Sequence, residues 1–237
     1  MFVIDRSLNY GRPVIRKFLA SIGEYKTAAD LGAGTGVDLK IAGEVNPSAH
    51  LHAIEVHKPY AENLRTMGYT VHSINIEHDK FPFANESMDV LMANQVLEHV
   101  KEVFWIFHEV SRSLKVGGHF IVGVPNLASL HNRILLGIGR QPTAIQVNSA
   151  HVRGYTRQGL MRFVNDAAPG VYRLKAWGGS NFYPFPPFIA KPLAKLFPGM
   201  AWGCFLLLEK VKPYDKEFLD YIAPGKLETN FYAGQTS

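Results

Sequence analysis

Thr27-Ala28-Ala29-Asp30-Leu31-Gly32-Ala33-Gly34-Thr35-Gly36 is a short apolar run that ends in an acid and opens into a glycine-rich bend. Followed by a helical pattern, such a run predicts a buried parallel strand feeding a tight turn. Glycine suits the turn because it accepts positive φ and leaves the backbone open to a ligand. Open α/β sheets bind at the carboxyl ends of their strands, so the bend is expected to floor a nucleotide-like ligand. It is not a dinucleotide fingerprint: counted from Gly32, the third glycine comes one place early, at Gly36, and Val37 takes the expected position. Asp30, two residues before Gly32, would repel a pyrophosphate but suits a ligand carrying an ammonium and a sulfonium.

Here the chain resembles the class I S-adenosylmethionine-dependent methyltransferases, whose first motif looks like Asp30 to Gly36. The resemblance implies S-adenosyl-L-methionine as cofactor, held by Asp30, Gly32, Ala33, Gly34 and Gly36. It also implies an α/β fold with a doubly wound, mostly parallel seven-stranded sheet and an antiparallel final strand. A bare glycine turn without ligand is the alternative.

Outward from the bend, Arg12 to Ile22 reads as a preceding helix and Val37 to Val45 as a following one, stopped by Asn46-Pro47. Leu51 to Val56 is the expected second strand. It brings Glu55, with Val56 beside it, about twenty residues past the bend, where an acid commonly grips ribose hydroxyls; an ordinary strand-end charge is the rival. After a helix over Pro59 to Met67, a third strand from Thr70 to Ile76 delivers Asn75 and Ile76 for an adenine ring, or Asn75 as a turn former. Phe81-Pro82-Phe83-Ala84-Asn85-Glu86-Ser87-Met88-Asp89-Val90 resembles the family's approach to the fourth strand, Asp89 to Ala93. Asn94 and Gln95 then stand at the tip where the methyl group is expected. Glu98 and His99 open a helix running from Val100 to Leu114, as terminal charge and packing or as catalytic groups. Leu114 to Gly118 resembles the family's next turn, with Val116 where proline is commoner, and His119 to Val124 is a fifth strand ending at Pro125-Asn126. Asp30, Glu55, Asn75, Asn94 and Asn126 thus fall at successive strand tips, the register that repeated βα units require.

The 237 residues are 47% hydrophobic, enough for a substantial core, and suggest one domain, residues 1–211, with a tail at 212–237. Within it, 1–126 would be the cofactor platform and 127–211 the substrate region with the final hairpin. A formal charge of +5 is mildly basic, but Lys and Arg are scattered, so no nucleic-acid surface is expected. The one cysteine, Cys204, sits among apolar residues and reads as a buried strand position in a reducing compartment. Asp5 and Arg6 interrupt any secretory core, and no apolar run is long enough for a bilayer, so a cytoplasmic protein is expected, with peripheral membrane contact left open.

In the second half, Thr156 is a helix N-cap after His151-Val152-Arg153-Gly154-Tyr155. A similar segment occurs in small methyltransferases associated with sugar, glycan and lipid-linked intermediates. His151 is the candidate base for a hydroxyl acceptor and Arg153 the candidate ligand for its phosphate or carboxylate, with bracing of the loop as the rival for both. His131 and Arg133 form a weaker pair. No histidine spacing argues for metal. Val171 to Trp177 and Ala201 to Lys210 are the closing strands. Between them, Phe182-Tyr183-Pro184-Phe185-Pro186-Pro187-Phe188-Ile189 is aromatic and proline-rich, fit for a lid, an acceptor wall, a membrane contact or a homodimer face. Its bland rival is packing across the sheet's end. Phe218, Leu219, Tyr221, Phe231 and Tyr232 give the tail docking residues. Rival functions are a dinucleotide-dependent oxidoreductase, opposed by Asp30 and Val37, and a non-catalytic binding or assembly protein.

Overall fold

A computed structural model describes residues 11–222, 227 and 230–234. Asp5 and Arg6 lie outside the described residues. The strands are β1 (Thr27–Leu31), β2 (His50–Ile54), β3 (Thr70–His72), β4 (Met88–Asn94), β5 (Leu114–Pro125), β6 (Tyr172–Ser180) and β7 (Gly203–Lys210). They form one sheet in the order β3-β2-β1-β4-β5-β7-β6. β1 to β5 pair in parallel, whereas β7 is inserted antiparallel between β5 and β6. The expected seven-stranded, mostly parallel sheet with an antiparallel end is the observed one.

Period-two alternation in the central strands explains why both faces are covered. Leu91, Ala93, Phe120, Val122, Leu206 and Leu208 face α4 (Val103–Ser113), α6 (Arg157–Ala167) and α8 (Glu217–Tyr221). Val90, Met92, Ile121, Phe205 and Leu207 face α1 (Arg12–Ile22), α2 (Val37–Val45) and α3 (Lys58–Thr66). α5 (Leu130–Gly137) and α7 (Pro187–Leu196) lie at the sheet's end around Phe182, Ala194 and Ala201. The aromatic insert thus packs partly across that end, while Phe188 remains 75% exposed. Among the described residues no helix is long and apolar enough to cross a membrane.

Several expected boundaries move: β2 ends at Ile54 rather than Val56, β5 begins at Leu114, where a turn is expected, and β6 runs on to Ser180. Two further shifts have identifiable causes. β3 stops at His72 rather than reaching Ile76: the Asn75 side chain accepts from the Glu77 amide (3.0 Å) while its own amide donates to Asp79 (2.8 Å), a side-chain turn that competes with the ladder. α4 starts at Val103 rather than Val100, because Leu97–His99 closes as a separate 3₁₀ turn and Glu77 Oε1 captures the Lys101 and Glu102 amides. The tail docks on its own chain. Phe218 is fully buried against Phe107 and Phe163, and Phe231 and Tyr232 lie against Phe104 and Trp105.

Candidate active site

The bend after β1 is held open by backbone geometry. Gly32, Gly34 and Gly36 have φ of 67°, 52° and 78°. A Cβ on Gly32 would lie 2.9 Å from Val96 Cγ2 and one on Gly36 2.6 Å from Leu64 Cδ2, so those two positions admit glycine for packing as well. Gly34 differs: its Cβ would meet only the Gly32 carbonyl, at 3.9 Å, and otherwise point into open space. That space is the cradle a ligand backbone contact needs. α2 begins beside it, with Gly36 as its N-cap and its free amides turned to the bend.

Acids surround this cradle. Glu55, directly after β2 and buried, accepts from the Gly34 amide (2.8 Å) and the His57 amide (2.7 Å), which ties the bend to the neighbouring strand. Each carboxylate oxygen keeps a second lone pair for a hydroxyl. Asp30 is buried at the end of β1. Burial, then Asp38, push its carboxyl well above the usual range, with Glu55 adding to the effect and Arg12 opposing it. Asp38, in the first turn of α2, accepts from Asn94 Nδ2 (2.9 Å) and faces Arg12 Nε (3.3 Å). A buried acidic cluster of this kind is relieved by a cation, so the residues fit the ammonium and sulfonium of S-adenosylmethionine. Nothing in the sequence marks Asp38, because an acid in a helix's first turn is too ordinary to signal a site.

The other residues expected at strand tips are less uniform. Asn94 ends β4, and Gln95 follows with φ 59° and its amide donating to the Gly123 carbonyl (2.7 Å). Ala33 is buried at the bend, Ile76 packs at the core's margin, and Val56 is exposed. Asn75 sits in its turn, its carbonyl oxygen engaged by Glu77. Asn126 braces the closing strands by donating to the Gly199 and Ala201 carbonyls (3.0 and 2.9 Å).

Fifty residues on, the 150–155 loop lies directly on the 3₁₀ turn after β4. The Val152 and Arg153 amides donate to the Glu98 carbonyl (2.8 and 3.3 Å), and the Tyr155 hydroxyl donates to the Leu97 carbonyl (3.1 Å). This brings the His151 ring to 4.7 Å from that of His99. Arg153 turns the other way: its Nη2 donates to the Lys101 carbonyl (2.7 Å) and its guanidinium lies 5.5 Å from the Phe231 ring centre. His131 packs on Tyr183 and Trp202, and Arg133 donates to the Ala128 carbonyl. Cys204 is buried in β7, and burial pushes its thiol up to about 12, away from nucleophile chemistry.

Residues 29–122 match a family model described as a methyltransferase domain. Over 130 residues the chain is 28% identical to an uncharacterized 37.1 kDa protein in a transposon of Streptomyces fradiae, which covers 53% of this chain and 37% of that protein. It is 27% identical over 124 residues to an arsenite methyltransferase of Halobacterium salinarum, covering 50% of this chain and 31% of the other. The chain thus spans about a third of the length of the curated relatives it matches. Among solved structures, an S-adenosylmethionine-dependent methyltransferase from Mesorhizobium loti superposes with a TM-score of 0.60 at 16% identity, covering 86% of this chain and 99% of that one. The segment from β1 to β5 is thus similar to a methyltransferase domain, and the chain has the fold of the solved S-adenosylmethionine-dependent methyltransferases.

Proposed function

We propose that this protein transfers a methyl group from S-adenosyl-L-methionine to a hydroxyl of a small-molecule, sugar or lipid-linked acceptor. The observation that carries the reading is the open cradle at Gly34 ringed by Asp30, Asp38 and Glu55. The cofactor supplies an electrophilic methyl on a sulfonium. Asp30 and Asp38 balance its positive charge, Glu55 offers its free lone pairs to the ribose hydroxyls, and the amides of α2 face the amino-acid carboxylate. Methyl transfer to a hydroxyl would release the hydroxyl proton, which a base must take up. We assign that role to His151, whose Nδ1 is committed to the Ala144 carbonyl (3.0 Å) so that its Nε2 keeps a lone pair. Positioning and exclusion of water supply the rest of the acceleration.

A lipid-linked acceptor is supported by the exposed Phe188, Leu196 and Phe197 on and after α7, beside a cleft of about 500 Å³ that Lys17, Lys191 and Lys195 line. An apolar ridge with cations at its base suits an amphiphile with an anionic head.

Calorimetric titration with S-adenosylmethionine and with NAD tests the reading, and saturable binding of the former alone is expected. Gly34→Val forces a β-branched residue to φ 52° and fills the cradle, so it should abolish that binding while the sheet stays folded. Unchanged affinity would remove the site from contention. Transfer of radiolabelled methyl to hydroxyl acceptors, on vesicles and free in solution, then sorts the acceptor classes.

A further inference from the structure

Neither carboxylate oxygen of Glu98 takes a hydrogen bond from another of the described residues, although the residue is 1% exposed. A buried carboxylate so poorly hydrogen-bonded is costly unless something further satisfies it. What stands around it is imidazole. His99 Nε2 lies 3.9 Å from Glu98 Oε1, and one ligand atom each from Glu98, His99 and His151 lie within 4.8 Å of one another.

The two rings are oriented alike. His99 Nδ1 sits 3.3 Å from the Ala150 carbonyl and His151 Nδ1 3.0 Å from the Ala144 carbonyl. A carbonyl only accepts, so each Nδ1 carries the proton and each Nε2 presents its lone pair. Metal-bound histidines are held in this way, the distal N–H donated to a backbone carbonyl so that tautomer and ring direction are fixed. The His99 side chain is 43% exposed, which leaves the open side of the cluster accessible. The cluster lies next to the methyl-transfer region: Val96, two residues before Glu98, packs against Gly32 of the bend.

We propose that Glu98, His99 Nε2 and His151 Nε2 bind one divalent transition-metal ion, which holds an oxygen of the acceptor. Two imidazoles and one carboxylate suit zinc, iron, cobalt or manganese, and three protein ligands leave positions for water or substrate. The role assigned to the ion rests on the methyl-transfer reading; the site itself does not. With the ion bound, His151 is a ligand rather than a base. The acceptor hydroxyl, made more acidic by coordination, then releases its proton to water. No local histidine spacing announces the site, because His151 reaches it from 52 residues beyond His99 through the strap on the 3₁₀ turn.

The test uses chelator-stripped full-length protein titrated with Co²⁺, read by its visible absorption and by calorimetry. One equivalent is expected to bind. Glu98→Gln and His151→Ala should each weaken it by at least about 10-fold, whereas His131→Ala, at a ring contact elsewhere, should leave it unchanged. Glu98→Gln removes the charge at constant shape, so its fold and its S-adenosylmethionine affinity should persist and keep the comparison valid. Absence of stoichiometric binding, or Co²⁺ affinity indifferent to both variants, would overturn the site. If Co²⁺ binds as described while S-adenosylmethionine does not, the metal site stands and the methyl-transfer reading falls.

Discussion

His108 is buried on α4, with Nδ1 2.9 Å from the Tyr214 hydroxyl and Nε2 3.6 Å from Glu109 Oε1. Burial lowers its pKa from 6.5 to about 4, the nearby Glu109 opposing the shift and Arg112, Lys216 and Lys80 adding to it. The imidazole is therefore neutral in the folded chain at pH values where the unfolded chain protonates it. The stability this gives is complete above pH 6.5 and is lost as pH falls from 6.5 toward 4. At pH 5 the loss is about 2 kcal/mol from this residue. His52, His72 and His119 are lowered too, and their contributions have the same sign. Urea unfolding at pH 7 and pH 5 checks this: the midpoint should fall at pH 5, and His108→Gln should fall less. An equal fall in the variant would assign the slope to the other histidines. Nothing in the order of residues marks His108 for this role; Asp30, by contrast, is legible because its position before the glycines and its chemistry agree.

Element by element, what the sequence discloses depends on whether the cause is local. α1 and α2 lie where apolar periodicity and Gly23 or Asn46-Pro47 put them, and Thr156 caps α6 by accepting from the Gly159 amide (2.9 Å). The Phe81–Val90 segment also reads locally, yet the reason for its shape is distant: Glu109 takes the Phe81 amide (2.6 Å), and Arg112 donates to the Phe81 and Phe83 carbonyls. Glu98 and His99 read as a helix start, whereas their setting is decided by Glu77 and by the strap from 150–155. Lys210 is hidden for the same reason. It ends β7 at 1% exposure, its ammonium donating to the Ser111 and Leu114 carbonyls (2.9 and 2.8 Å) and to Glu86 Oε1 (3.0 Å). A lysine from a strand thus closes the carboxyl end of α4, where orphan carbonyls and the helix dipole favour a cation. Lys210→Met keeps the apolar stem and leaves those carbonyls unsatisfied in the interior, which should cost about 2 to 4 kcal/mol. Chemical denaturation measures it. A loss below about 0.5 kcal/mol, the size of an ordinary surface change, would mean that water replaces the ammonium there.

Over the whole molecule, the tail joins the core to the candidate site. Phe218 fills a slot between α4 and α6 and belongs to the core beneath β5 and β7. Phe218→Ala should cost about 3 to 4 kcal/mol through lost burial and the cavity left behind, lowering Tm by roughly 10 °C for a chain of this size. Phe231 works at another place. Its ring packs on Phe104 and lies under Lys101 Nζ and the Arg153 guanidinium, at 5.6 and 5.5 Å. Such contacts contribute about 1 kcal/mol at partly exposed positions, so Phe231→Ala should change global stability little. Arg153, however, belongs to the strap that carries His151, and that strap is fastened to Glu98 through the Val152 and Arg153 amides. Loosening one side of the strap should therefore speed hydrogen exchange at those two amides while the β4 and β5 amides keep their protection. The same variant should raise the KM for acceptor and leave S-adenosylmethionine affinity unchanged, because Gly34 and Glu55 lie just past the ends of other strands, β1 and β2. Unaltered exchange at Val152 and Arg153 would show that the loop is held by its bonds to the 3₁₀ turn alone, and that the tail serves the core and not the site.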